Sequence, residues 1–160
     1  MWPSNWERLI DGSECTMCRH GVRPESNQYG LRFYAGEYAD AYLQRADVQR
    51  GYSVVIWHGR HVVEPIQLGE REAAGYWLDV LNAARLLVGY FQPLKMNYET
   101  LGNGEPHLHT HLVPRYLIDP APGQPFPLSA DKLNGTVLHP EQFAQDAIEL
   151  RRRAKVFLSF

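Results

Sequence analysis

Cysteine is scarce in this chain: 160 residues contain only Cys15 and Cys18. Two thiols do not make a disulfide framework, which sets aside the disulfide-rich secreted class. Long apolar stretches are missing as well. No run of 18 apolar residues occurs, so no transmembrane helix is expected. The opening segment MWPSNWERLIDG carries early charge and no apolar core, unlike a secretion signal, so the cytoplasm is the expected compartment. An excess of one charge is also absent. Sixteen Lys and Arg against eighteen Asp and Glu leave a net charge of −2. No overall field then gathers nucleic acid, and any anion site must be local. Internal repeats and low-complexity tracts are not found.

What is present suits one compact domain over 1–160. Residues 31–36 and 38–44 read as two strands joined across Gly36, and the β-branched run Ser53–Trp57 as a central strand. The strongest helix signal lies around 70–92. Ala74, Trp77, Leu78, Leu81, Ala84 and Leu87/Val88 recur with a 3.6-residue period and predict the buried face. Glu70 and Glu72 suit its N-terminus, and Pro93 ends it. LKMNYETLG and HLHTHLVP read as two further strands linked by Gly102-Asn103-Gly104. Four prolines in IDPAPGQPFPL predict an extended arm, and HPEQFAQDAIELRRRAKVFLSF a C-terminal helix starting near His139-Pro140. About five strands with one main helix, a C-terminal helix and hairpin-length links predict an α+β fold with an antiparallel sheet.

Chemistry concentrates in HLHTHLVPRY, where His107, His109 and His111 alternate. Alternate residues of a strand share a face, so three imidazoles are expected to point the same way. Such a row suits metal binding or nucleophilic catalysis, since a neutral imidazole is a good nucleophile near pH 7. Asn97, Asn103 and the glycines at 102 and 104 can offer uncharged donors to an anion such as phosphate. Nearby acidic candidates are only Glu99 and Glu105. Several other features have ordinary readings. Arg115 is read as a solvated strand-end arginine rather than a phosphate contact. The basic run 151–155 is read as a solvated helix face. Trp2, Trp6, Phe33 and Tyr34 could stack on a base, with core packing the default.

HLHTHLV resembles the His-φ-His-φ-His-φ-φ signature of the histidine triad superfamily, with Thr110 the single non-apolar spacer. DAYLQRADVQRGYSVVIWHGRH and MNYETLGNGEPHLHTHLVPRY resemble the segments that flank its main helix, so the likeness covers roughly 14–117 and leaves 118–160 as arm plus C-terminal helix. The resemblance implies a homodimer that hydrolyses or transfers nucleotides at the α-phosphate, with dinucleoside polyphosphates the leading substrate class. It implies His109 as nucleophile, His111 as phosphate contact and His107 as the residue whose carbonyl orients His109. It implies substrate contacts from Gln44, Asn97 and Asn103, and no metal in the chemistry itself. Tyr52 stands where many relatives have histidine.

The pair Cys15-x-x-Cys18 can reach one tetrahedral metal but needs two more ligands. By the same resemblance these are His61 and His107, holding a structural zinc, with His58 competing for the place of His61. Two other functions stay open. One is a nucleotide-binding regulatory module whose arm at 119–127 meets a partner. The other is a metal-dependent hydrolase that uses the three histidines as ligands.

Overall fold

The computed structural model describes residues 2–19, 23–27, 30–46, 48–128, 133 and 139–157. Two short helices, α1 (Trp6–Ile10) and α2 (Thr16–Arg19), precede a five-stranded antiparallel sheet. Its strands are β1 (Gly30–Ala35), β2 (Ala39–Gln44), β3 (Ser53–Trp57), β4 (Lys95–Glu99) and β5 (His109–Arg115). Their order across the sheet is β1-β2-β3-β5-β4. Helix α3 (Glu70–Phe91) connects β3 to β4, and α4 (Pro140–Phe157) follows β5. The expected α+β architecture is therefore found. The helix reading ran on to Phe160, and residues 158–160 lie outside the described residues.

Strand alternation divides the sheet into two unlike faces. One face carries Ala39, Ala41, Leu43, Val55 and Leu112, which join Tyr76, Val80, Leu87 and Leu150 in the main apolar core. The other carries two cross-strand rows, Asp40–Ile56–His109 and Tyr42–Val54–His111, set by the register of β2, β3 and β5. Thr110 lies on the core side. Its hydroxyl bonds the Tyr76 hydroxyl at 2.7 Å and that of Thr100 at 2.8 Å, which accounts for a polar spacer among apolar ones.

The main helix is where expected, and Ala84 and Leu87 of the expected stripe are buried, but the rest of that stripe is exposed. Tyr76, Val80, Ala83, Ala84 and Leu87 are buried, while Trp77, Leu78, Leu81 and Val88 are 39–54% exposed. Helix α3 thus has two apolar stripes. Periodicity registers both, and only packing on the sheet selects one. Arg115 also differs from its reading as a solvated residue. Its side chain is 12% exposed and pairs with Asp119, while its Nη atoms donate to the carbonyls of Gln124 (3.0 Å) and Ala121 (2.7 Å). It fastens the proline-rich arm to the sheet. The basic run is solvated only in part: Arg152 and Arg153 pair with Glu149, while Arg151 donates to the carbonyls of Arg32 (2.7 Å) and Glu25 (2.9 Å).

The β1–β2 hairpin is held from below by α3. Asp79, 5% exposed, accepts the Tyr34 hydroxyl (2.7 Å) and the backbone N–H groups of Tyr38 (2.8 Å) and Ala39 (3.0 Å). Gly36 permits this approach, because a Cβ there would lie 2.3 Å from the Asp79 carboxyl carbon. Asp79→Ala would strand two backbone donors, of which that of Ala39 is buried. It is expected to cost about 3 kcal/mol in urea unfolding, and a loss below about 1 kcal/mol would show the clamp to be unimportant.

Candidate functional site

A cavity of about 390 Å³ opens over the sheet face that bears the histidines. Val54 and Ile56 form its apolar floor, and His109 and His111 stand at one side. Gln44 and Asp40 line it from β2, and Asp40, 2% exposed, accepts Arg23 Nε at 2.6 Å and Arg32 Nη1 at 3.2 Å. This buried ionic cluster was not anticipated, because its members are scattered over separate segments.

The three histidines have different surroundings. His109 and His111 belong to β5 and touch, with Nε2 atoms 3.1 Å apart. The His109 Nδ1 lies 2.6 Å from the His107 carbonyl oxygen. A carbonyl can only accept, so His109 carries its proton on Nδ1 and presents a bare Nε2 lone pair. His107 precedes β5, and its ring turns from the row towards the cysteines. The expectation of three imidazoles aligned on one strand face holds for two of them. The strand ladder starts at His109, so His107 is free to answer to other partners.

Burial lowers the pKa of all three imidazoles from the ordinary histidine value, and that of His111 to about 3 with a smaller contribution from His109. The rings are therefore neutral at pH 7. In the unfolded chain they protonate below about pH 6.5, so the unfolded state binds more protons and stability falls as pH drops from there towards 3. His111 alone is expected to cost about 2 kcal/mol between pH 7 and pH 5, with His107 and His109 acting in the same direction. Urea unfolding at the two pH values checks this, and equal stabilities would mean that the rings are not held neutral.

At the other end of His107 the chain gathers a second constellation. One ligand atom each from Cys15, Cys18, His61 and His107 lies within 4.8 Å of the others. The His107 Nδ1 is 3.4 Å from Cys15 Sγ and 3.5 Å from Cys18 Sγ, and the His61 Nδ1 is 3.2 Å from Cys18 Sγ. A tetrahedral ion with ordinary Zn–S and Zn–N bonds separates sulfur from nitrogen by about 3.6 Å, so the donor set fits. The opposite ring nitrogens donate to backbone carbonyls, His107 Nε2 to Trp57 (2.9 Å) and His61 Nε2 to Ile10 (2.9 Å). Both Nδ1 lone pairs thereby face the sulfurs, because each ring is oriented by the carbonyl that its other nitrogen bonds, as is usual for metal-binding histidine. Burial pushes the Cys15 thiol up to about 12, so a cation is what would hold it as thiolate. His58 is not in the cluster. Its Nε2 lies 3.3 Å from the Gly36 carbonyl oxygen, and it lines the cavity instead. Among the described residues no other group of three or more His, Cys, Asp or Glu side chains could hold a metal. The three triad histidines therefore do not form a common ligand set.

The remaining sequence candidates divide. Gln44 lies on the cavity wall. Asn97 and Asn103 do not: the Asn97 side-chain oxygen accepts from Arg115, and Asn103 is exposed in the loop before His107. The β4–β5 register sets Glu99, not Asn97, opposite His111. Burial raises the Glu99 carboxyl above its usual range. Phe33 and Tyr34 are core residues. Tyr52 was noticed only as a departure from the usual histidine. Its hydroxyl lies 2.7 Å from the His111 Nδ1, an arrangement its position in the sequence did not reveal.

No protein-family model and no curated protein matches the sequence. Solved structures do match. A histidine triad protein from Bradyrhizobium japonicum superposes with TM-score 0.67 at 19% identity, covering 78% of this chain and 90% of that one. A zinc-bound histidine triad family protein from Mycobacterium smegmatis gives 0.60 at 18%, covering 92% and 97%. A hypothetical histidine triad nucleotide-binding protein from Sulfolobus tokodaii gives 0.63 at 19%, covering 88% and 92%. With its five-stranded sheet, crossing helix and paired β5 histidines, this chain has the histidine triad fold.

Proposed function

We propose that the protein is a nucleotidyl hydrolase or transferase that acts at the α-phosphate of a nucleotide through His109. One observation carries this reading: the bare Nε2 of His109 stands on a 390 Å³ cavity beside a second imidazole, His111. The His109 Nε2 attacks phosphorus, a P–N bond forms, and the bond from phosphorus to the leaving oxygen breaks with its electron pair. The ring keeps its Nδ1 proton and becomes cationic, and the His107 carbonyl that accepts this proton offsets the charge. His111 lies within reach of the phosphoryl oxygens, where negative charge develops. Water then replaces the ring, restoring His109 and releasing the nucleoside monophosphate. Gln44 suits the ribose side of the cavity. Dinucleoside polyphosphates are the leading substrate class, and the neighbour described as nucleotide-binding supports the wider class.

The Cys15, Cys18, His61 and His107 cluster is the proposed seat of a structural zinc, supported by the fit of its donor set and by a zinc-bound neighbour of like fold. Bound there, zinc would fasten the α2 turn to the residues before β5 and supply folding energy rather than a nucleophile. Both cysteines are free, as a reducing cytoplasm would keep them. A homodimer is the proposed assembly. Its support is the second apolar stripe of α3, Trp77, Leu78, Leu81 and Val88, which the sheet leaves exposed.

The test is mass spectrometry of the protein mixed with a panel of nucleotide substrates and quenched in mild base, where phosphoramidates survive. The expected result is an added nucleotidyl mass mapped to His109. Turnover without a trapped mass at any time point, or a mass on another residue, would remove the covalent reading.

A further inference from the structure

We propose that Tyr52 is a positioning residue that sets the proton of His111 on Nε2, making His111 a hydrogen-bond donor towards the bond-making atom. For two neutral rings the hydrogen bonds admit one assignment. His109 must donate Nδ1–H to the His107 carbonyl, so its Nε2 is a lone pair. The His111 Nε2, 3.1 Å away, must then carry the proton that bridges the two rings. A neutral His111 with Nε2–H has a bare Nδ1, and the Tyr52 hydroxyl at 2.7 Å donates to it. The result is a one-way chain, Tyr52 O–H to His111 Nδ1, His111 Nε2–H to His109 Nε2, and His109 Nδ1–H to the His107 carbonyl.

The surroundings hold Tyr52 to that role. It is 1% exposed and packs among Val48, Val54, Val113 and Phe126, with its ring tilted only 6° from that of His111. Its backbone N–H donates to the Gln49 carbonyl (2.9 Å), and its carbonyl accepts the Gln44 N–H (3.0 Å). Burial, together with the negative Glu99 nearby, raises its hydroxyl pKa, so the phenol stays protonated. An imidazole in this place could act as donor, acceptor or cation, whereas a buried phenol facing a ring nitrogen at neutral pH donates. The Nε2–H of His111 is then available to a phosphoryl oxygen once a substrate parts the two rings. The kinetic part of this inference rests on the nucleotidyl-transfer reading above, and the resting-state part does not.

The experiment pairs long-range ¹H–¹⁵N spectra of the imidazoles with steady-state kinetics on the panel nucleotide that the wild-type protein turns over. Wild type is expected to show His111 as the Nε2–H tautomer. Tyr52→Phe should shift it to the Nδ1–H tautomer or a mixture, lower kcat about tenfold and leave KM within about twofold, since one orienting hydrogen bond is lost and no substrate contact is. Tyr52→His, which can donate from a ring N–H, should restore the tautomer and most of kcat. An Nδ1–H tautomer in the wild type overturns the proposal by itself, even if the Phe variant does not fold. An unchanged tautomer or an unchanged kcat in a folded Phe variant overturns it too. Absence of a nucleotidyl adduct in the wild type would instead remove the reaction and leave the tautomer, read in the resting protein, to decide the role of Tyr52.

Discussion

Replacing His109 with glycine is expected to lower turnover by about 10⁴-fold or more while nucleotide affinity stays within a few-fold of wild type. The size follows from what is removed. His109 carries the only lone pair proposed to attack phosphorus, and its neighbour is not expected to take over, because the His111 Nε2 is proposed to carry a proton and its Nδ1 faces Tyr52. The vacated space stays lined by Val54, Ile56 and Gln44, so the nucleotide keeps its seat. Removing His111 instead takes away a donor to developing charge, and a smaller loss of about 10²–10³-fold is expected. Single-turnover kinetics with equilibrium binding on both variants checks the ordering. Equal losses at 109 and 111, or retained turnover without His109, would end the covalent scheme. Tight binding with negligible turnover already in the wild-type protein would favour the regulatory-module reading.

Stripping metal from the Cys15, Cys18, His61 and His107 cluster is expected to lower the melting temperature by on the order of 10 °C or more. The cluster joins residues 43 and 89 positions apart, His61 and His107 to Cys18, so a metal there closes long loops in one centre. Without a cation, Cys15 sits buried as a neutral thiol, and the N-terminal turn loses its tie to the sheet. Metal analysis of the protein as purified should find one zinc per chain, and Cys18→Ser should lose it. His107 links this centre to His109, since its Nδ1 faces the sulfurs and its carbonyl holds the His109 Nδ1–H. Metal-free protein kept below its melting point should therefore retain turnover, reduced by about tenfold at most. Complete loss of turnover on chelation, restored by metal, would instead support a metal-dependent hydrolase. No change in melting temperature would remove the structural zinc.

Much of the molecule was legible in local pattern. The central strand, the long helix and the paired thiols each announce themselves within a few residues, because strand alternation, helical period and Cys-x-x-Cys spacing are local properties. The errors have a common origin. Helix α3 shows apolar residues on two sides, and its own period could not say that Tyr76, Val80 and Leu87 face the sheet while Trp77 and Leu81 do not. Strand alternation alone puts all three imidazoles on one face, until the ladder is seen to begin at His109. The partner of Asn97 is likewise not legible locally, since Arg115, 18 positions away, bonds its side-chain oxygen. His61, the expected ligand, does reach Cys18, although spacing left His58 in competition until the course of the chain after β3 was seen.

By itself, then, the sequence determined the class of fold, the strand that carries the reactive imidazoles, and the four residue types able to seat a metal. Tertiary structure decided which partner faces each ring nitrogen, which histidine joins the thiols, and that a tyrosine 59 positions away meets His111. The physical reason is that a proton's place on an imidazole depends on the donor or acceptor opposite it. That partner comes from distant chain, so no local period or spacing encodes it.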